Sequence, residues 1–212
     1  MSASADPLAR GADELIIGIP RERALGGDAW SGLRPFTSLT EGVTEIARLD
    51  REGSVRPRRE LEVDPAWKQP IPYAIALYTT PEGERQLFWM DRLEGGSDRR
   101  LHGRASFGVG GHIGVDDGGI LGALTREWCE EVATPALPLF TPFGLLNFDG
   151  DEVGRVHLGV VFLAKLASPH ITVREHDKLA GSLVAVNEGV ARASELEGWS
   201  ALLIPHIAAL EE

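Results

Sequence analysis

The chain has 212 residues, 43% hydrophobic and 25% charged, with a formal net charge of −11. That balance suits a folded globular protein, long enough for one large domain or a core domain with an extension. The acidic surface disfavours a nucleic-acid polymer as partner, while a small phosphorylated ligand stays compatible if a divalent cation mediates.

No apolar run approaches the roughly 20 residues a membrane helix needs. Residues 1–20 lack a basic head followed by an apolar stretch, so a cytoplasmic protein off the membrane is expected. The single cysteine, Cys129, excludes an internal disulfide and reads as a small buried or half-buried helix residue.

In chain order, Glu14–Pro20 reads as a short buried strand ended by proline. Glycine, proline and charge then break the pattern as far as Pro70, apart from a short helix carrying Val43, Ile46 and Leu49 at spacing three. The basic density at Arg51–Glu60 reads as a solvated loop. Ile71–Thr80 and Arg85–Leu93 form a hairpin across a Pro-Glu-Gly-Glu turn. Arg104–Ile113 is a strand dissolving into glycines. Ile120–Ala133 is a helix with an apolar stripe of Leu121, Leu124, Trp128 and Val132, stopped by Pro135 and Pro138. A second hairpin turns at Asp149–Gly150. Leu179–Val186 is a last strand, and a helix capped by Asn187 runs to the end. Hairpins mixed with helices predict an α/β or α+β layered domain around a mixed sheet.

The chemistry concentrates in Arg126, Glu127, Glu130 and Glu131, just after the glycines. Helical spacings of three and four put Glu130 and Glu131 one turn above Glu127 on one face. Like charges repel there, and the C-terminal half of a helix disfavours anions. A cation must compensate if the group is ordered, and oxygen-only donors suit the hard ions Mg²⁺ and Mn²⁺. Arg126 can pair with a neighbouring carboxylate and hold the loop to the helix. Glycines let backbone come close to a ligand.

This stretch resembles the Nudix box, whose pattern is Gly, five residues, Glu, seven residues, then Arg-Glu-apolar-x-Glu-Glu-x-Gly-apolar. Arg126 to Glu131 fits the second half residue for residue. Ala133 stands at the glycine and Thr134 at the last apolar position. Counting from Gly111, five residues lead to Asp117 in place of Glu, and eight rather than seven then precede Arg126; Asp116 is an equal occupant. Lys68–Leu77, Arg100–Ile113 and Phe143–Phe162 resemble a little-characterised branch of Nudix phosphoesterases in which a Gly-Gly-His-Ile turn opens the loop.

The resemblance implies an α/β/α sandwich around a mixed sheet, with residues 70–212 as the Nudix domain and residues 1–69 as an extension packed on it. It implies Mg²⁺- or Mn²⁺-dependent hydrolysis of a phosphoanhydride bond in a nucleoside diphosphate linked to another group. Glu130 and Glu131 would be metal ligands, and Glu127 would share the metal or handle the attacking water. Arg126 would hold Glu127, and the Gly110 carbonyl would complete the metal sphere. His112, Arg104, Asp117 and Glu175 are the candidates on the substrate side, and Nudix proteins are often homodimers. The alternative is a catalytically silent Nudix module that binds a nucleotide or a protein.

Further residues read two ways. His112 either meets phosphate or anchors its turn. His157, in an apolar strand, reads as a structural histidine. Arg92, Arg99 and Arg100 could meet phosphates, and Trp30, Trp67 and Trp89 could stack on a base or belong to the core.

Overall fold

The computed structural model describes residues 14–93 and 104–210; Arg99 and Arg100 lie outside them. The first part of the chain forms β1 (Leu15–Pro20), α1 (Arg21–Leu25), β2 (Gly32–Pro35), α2 (Leu39–Glu52), β3 (Ser54–Pro57) and α3 (Arg58–Leu61). Next come β4 (Trp67–Thr79), β5 (Arg85–Arg92), β6 (Ala105–Ser106), β7 (Gly108–Gly110) and α4 (Ile120–Glu131). Then follow β8 (Val132–Ala133), β9 (Leu139–Asn147), α5 (Glu152–Val156), β10 (His157–Lys165) and β11 (Thr172–Val173). β12 (Leu179–Ala185), α6 (Val186–Ala191) and α7 (Gly198–Ala208) close the chain.

β4 is the spine of a mixed sheet ordered β12-β5-β4-β10-β9-β2. One edge of β4 pairs in parallel with β10, from His157 opposite Gln69 to Lys165 opposite Leu77. Its other edge is shared by antiparallel partners: β1 at Trp67 and Lys68, β7 from Tyr73 to Ile75, and β5 from Leu77 to Thr79. Alternation along β4 sends Ala74 and Ala76 into one core and Ile75 into another. The first core also takes Ile46 and Leu49 from α2 and Ile120, Leu124 and Trp128 from α4. The second takes Leu203, Ile204 and Ile207 from α7. Helices therefore cover both faces, as an α/β/α sandwich requires.

The segment before β4 is more ordered than its broken sequence pattern predicts. Arg51–Glu60 is not a loop: it spans the end of α2, all of β3 and the start of α3. Elements this short lack a full hydrophobic period, so tertiary packing decides them. In α2 the buried residues are Gly42, Ile46 and Leu49, and Val43 is exposed. The same rotation applies to α4, where Ile120, Ala123, Leu124 and Trp128 are buried while Leu121 and Cys129 face out. Val132 is buried, but beyond the helix, in β8.

β9 and β10 pair antiparallel, yet Asp149–Gly150 is not their tight turn, because α5 fills the connection. Asp149 is drawn instead to a buried cation. Lys68 is fully enclosed, and its Nζ donates to Asp149 Oδ1 (2.9 Å), Gly154 O (2.8 Å) and His157 O (3.1 Å). All three ammonium protons are thus spoken for, which is what a buried charge demands. The C-terminal helix is broken as well: α6 starts after Ala185, not at an Asn187 cap, and Gly198 at φ +41° begins α7.

The N-terminus of α4 is capped from a distance. Gly119 at its N-cap has no side chain to offer, and Asp50 Oδ1 in α2 accepts from Ile120 N at 3.0 Å. Replacing a cap residue by Ala costs about 1 kcal/mol. Asp50→Ala is expected to lower unfolding stability by about that amount in urea titrations at unchanged m value, and Asp50→Asn to recover most of it.

Candidate functional site

The site begins where β7 runs out against β4. A Cβ on Gly110 would lie 1.9 Å from Pro72 O, so only glycine lets the strand come this close. At Gly111 a Cβ would lie 2.3 Å from Glu127 Oε1, so the loop backbone rests directly on that carboxylate. The loop is then tied to β1, with Ile17 N donating to Ile113 O at 2.9 Å. Asp117 Oδ2 accepts from Gly114 N at 2.7 Å, which closes the turn into α4.

Arg126 gathers the loop and the helix. Its Nε and Nη2 donate to the two oxygens of Asp117 at 2.7 and 2.9 Å, a bidentate pair. Nη2 also donates to His112 O at 2.9 Å, and Nη1 to Glu127 Oε1 at 2.8 Å and Glu130 Oε2 at 3.1 Å. The Asp117 hydrogen bonds lead in holding the guanidinium in its charged form, and they hold the Asp117 carboxyl below its usual range.

The carboxylates differ sharply in environment. Burial is the main force pushing the Glu127 carboxyl up, against the opposing pull of Arg126. Burial first, then the negative charges of Glu127 and Glu175, pushes Glu131 up to about 8; Arg92 opposes this. No hydrogen bond to the Glu131 carboxylate occurs among the described residues. Glu130 is exposed.

A cavity of about 440 Å³ opens beside Glu130 and Glu131. Gly110 and Glu175 also line it, as do Tyr73, Arg92 and Glu197. The structure therefore brings Gly110, Glu130, Glu131 and Glu175 to one concavity. Glu127 is not among the lining residues and sits against Gly111, paired with Arg126. Asp117 is committed to Arg126 and Gly114. Arg104 is exposed and donates to Ser194 O at 3.1 Å. The His112 ring faces His157, with Nε2 atoms 3.2 Å apart, and Arg58 and Glu62 lie close by.

Among the described residues Arg92 is the cation that lines this cavity, and Glu197 fixes it: Nε lies 2.9 and 3.0 Å from the two Glu197 oxygens, and Nη2 2.6 Å from one. Tyr73 donates to or accepts from Ser200 Oγ at 3.0 Å, and burial pushes its phenol up to about 12. Glu197 and Tyr73 carry no local motif, so sequence reading missed them. Of the tryptophans, Trp89 is fully buried, while Trp67 and Trp30 are covered by the guanidinium groups of Arg56 and Arg34.

No model of a known protein family matches the chain. Protein YmaB of Bacillus subtilis (strain 168) is 28% identical to it over 203 residues, 91% of this chain and 96% of that protein. The crystal structure of Tm1382, a candidate Nudix hydrolase, superposes with a TM-score of 0.74 at 28% identity, over 92% of this chain and 98% of the other. The chain has the fold of the Nudix hydrolases. An Ap4A hydrolase of C. elegans, solved as a binary complex, shares the Nudix fold at TM-score 0.50 and 16% identity, over 66% of this chain and 96% of that one. No helix among the described residues is long and apolar enough to cross a membrane.

The carboxylates of this site fit a divalent cation on donor chemistry. Glu131 feels the negative charges of Glu127, Glu175 and Glu130, opposed by Arg92, while Arg126 is paired with Asp117 and Arg92 with Glu197. Hard oxygen donors of this kind select Mg²⁺ or Mn²⁺ over softer ions.

Glu131 also sets a pH dependence. Its folded pKa lies above the carboxylate value, so its stabilising contribution is complete below about 4.5 and is lost as pH rises through about 8. His112 and His157 are pushed down, chiefly by burial, and act in the opposite sense below about pH 6.5. In metal-free protein, thermal stability is therefore expected to fall between pH 6.5 and 8. Glu131→Gln should flatten that limb in calorimetry, and an unchanged slope would rule Glu131 out as its source.

Proposed function

We propose that the protein hydrolyses a phosphoanhydride bond in a nucleoside diphosphate linked to another group, with Mg²⁺ or Mn²⁺ as cofactor. The observation that carries this reading is Glu131, half-buried and sharing one cavity with Glu130, Glu175 and Gly110. A bound divalent ion would neutralise charge building on the phosphate oxygens and lower the pKa of water. Glu130 and Glu131 would hold that ion, with the Gly110 carbonyl as a further oxygen.

Glu127 is the group that orients the attacking water or takes its proton. Burial weakens its preference for the ionised form, and contact with Gly111 and Arg126 fixes its carboxylate. Arg126 acts as a positioning residue, since all its donors are engaged with the loop and the helix. Arg92 supplies positive charge on the cavity wall for a substrate phosphate, preset by Glu197. The acidic chain as a whole favours a small diphosphate presented with its cation over a polymer.

The test is phosphate or nucleotide release from a panel of nucleoside diphosphate derivatives, with Mg²⁺, Mn²⁺ or EDTA. Turnover should require the metal and fall by at least about a hundredfold in Glu131→Gln, in line with the loss of a major electrostatic contributor. Retained nucleotide binding with no turnover on any substrate would overturn the enzyme in favour of a silent binding module. Gly111→Ala gives an independent check. Its methyl must displace the Glu127 carboxylate, so kcat should drop about tenfold or more with KM little changed.

A further inference from the structure

His112, His157 and Glu62 lie far apart in sequence and converge behind the loop that enters α4. One ligand atom from each lies within 4.8 Å of the other two. The imidazole Nε2 atoms are 3.2 Å apart, and His112 Nε2 is 3.8 Å from Glu62 Oε1. We propose that these three side chains form a second cation site, for a borderline transition metal such as Zn²⁺, separate from the carboxylate face of α4.

Distance and tautomer both support it. Zn–N and Zn–O bonds of about 2.0–2.2 Å in a tetrahedron set neighbouring ligand atoms roughly 3.3 Å apart. The two imidazole nitrogens already stand at that separation, and a small rotation of Glu62 brings its oxygen in. His157 is buried, and its Nδ1 lies 2.7 Å from Val153 O. A carbonyl only accepts, so Nδ1 carries the proton and Nε2 presents a bare lone pair toward His112. A backbone carbonyl behind the distal nitrogen is the support that metal-bound histidines use. The rings are tilted 59° with centroids 5.3 Å apart, so they meet through nitrogen edges rather than stacked faces.

The surroundings set limits on this site. Arg58 Nε donates to Glu62 Oε1 at 3.0 Å, and its Nη1 holds Glu14 at 3.0 Å, so Arg58 keeps a partner when Glu62 turns to a metal. Arg126 and Lys68 add positive charge nearby. Two nitrogens and one carboxylate still favour Zn²⁺ over Mg²⁺, because imidazole is a poor ligand for hard ions. The site joins the end of α3, the loop after β7 and the start of β10, so a bound ion would lock the N-terminal segment to the entrance of the Nudix loop. The rival arrangement is a metal-free pair in which His112 Nε2–H donates to His157 Nε2.

The experiment is a Co²⁺ titration of the full chain after EDTA stripping, in excess Mg²⁺ to fill the carboxylate face, read by the visible bands of four-coordinate cobalt. Wild type should take up one equivalent with those bands, and Zn²⁺ should bleach them. Glu62→Gln, a conservative change at a partly exposed position, should weaken uptake at least about tenfold, and His157→Asn should abolish it. Glu131→Gln should leave the bands intact. Uptake equal in wild type and Glu62→Gln, bands lost in Glu131→Gln, or no bands at all would each overturn the proposal and leave the metal-free histidine pair.

Discussion

Everything at the site hangs on the guanidinium of Arg126. Its donors reach the turn through Asp117, the loop backbone through His112 O and the helix through Glu127 and Glu130. A planar fork with five N–H groups can make all of these bonds at once; a lysine ammonium cannot. Arg126 pairs with Asp117, Glu127 and Glu130 and not with Glu131, whose carboxyl is pushed up by burial first and then by Glu127 and Glu175. The clamp thus builds the loop and leaves Glu131 outside its own set of bonds.

The second dependence is on the segment before β4. Ile17 N donates to Ile113 O and ties the loop to the sheet, Asp50 caps α4, and Glu62 stands beside His112. None of these residues belongs to the box, yet each touches it. Ile19, Ala24, Leu25, Ile46 and Leu49 share one apolar cluster with Ile120 and Leu124, so the frame around the loop and the core beneath α4 are the same structure.

The sequence was legible where pattern and length were both sufficient. β1, β4, β5 and α4 have long periodic or continuous apolar runs, and they fall close to where alternation and helical spacing put them. The box residues were legible because their spacing is local: one turn of helix brings Glu127, Glu130 and Glu131 together. What was hidden was long-range. Asp50 is 70 residues from Ile120, and Arg92 is 105 from Glu197, so no periodicity connects them. Leu121 and Val43 were misplaced because a stripe at spacing three or four fits two neighbouring rotations of a helix, and only the packed sheet chooses between them.

His112 carries the two halves of this arrangement in one residue. Its carbonyl faces Arg126 and so the hard, oxygen-lined side. Its ring faces His157 and the nitrogen-lined side. A loop held at both the backbone and the side chain of one residue has little freedom to move Gly110 or Gly111, and Gly111 is what the Glu127 carboxylate packs against. Rigidity of the loop and placement of the carboxylate are then one property. That places the cost of building the site in the glycines, which lose the most freedom on folding, and offsets it through charge-assisted bonds concentrated on a single arginine.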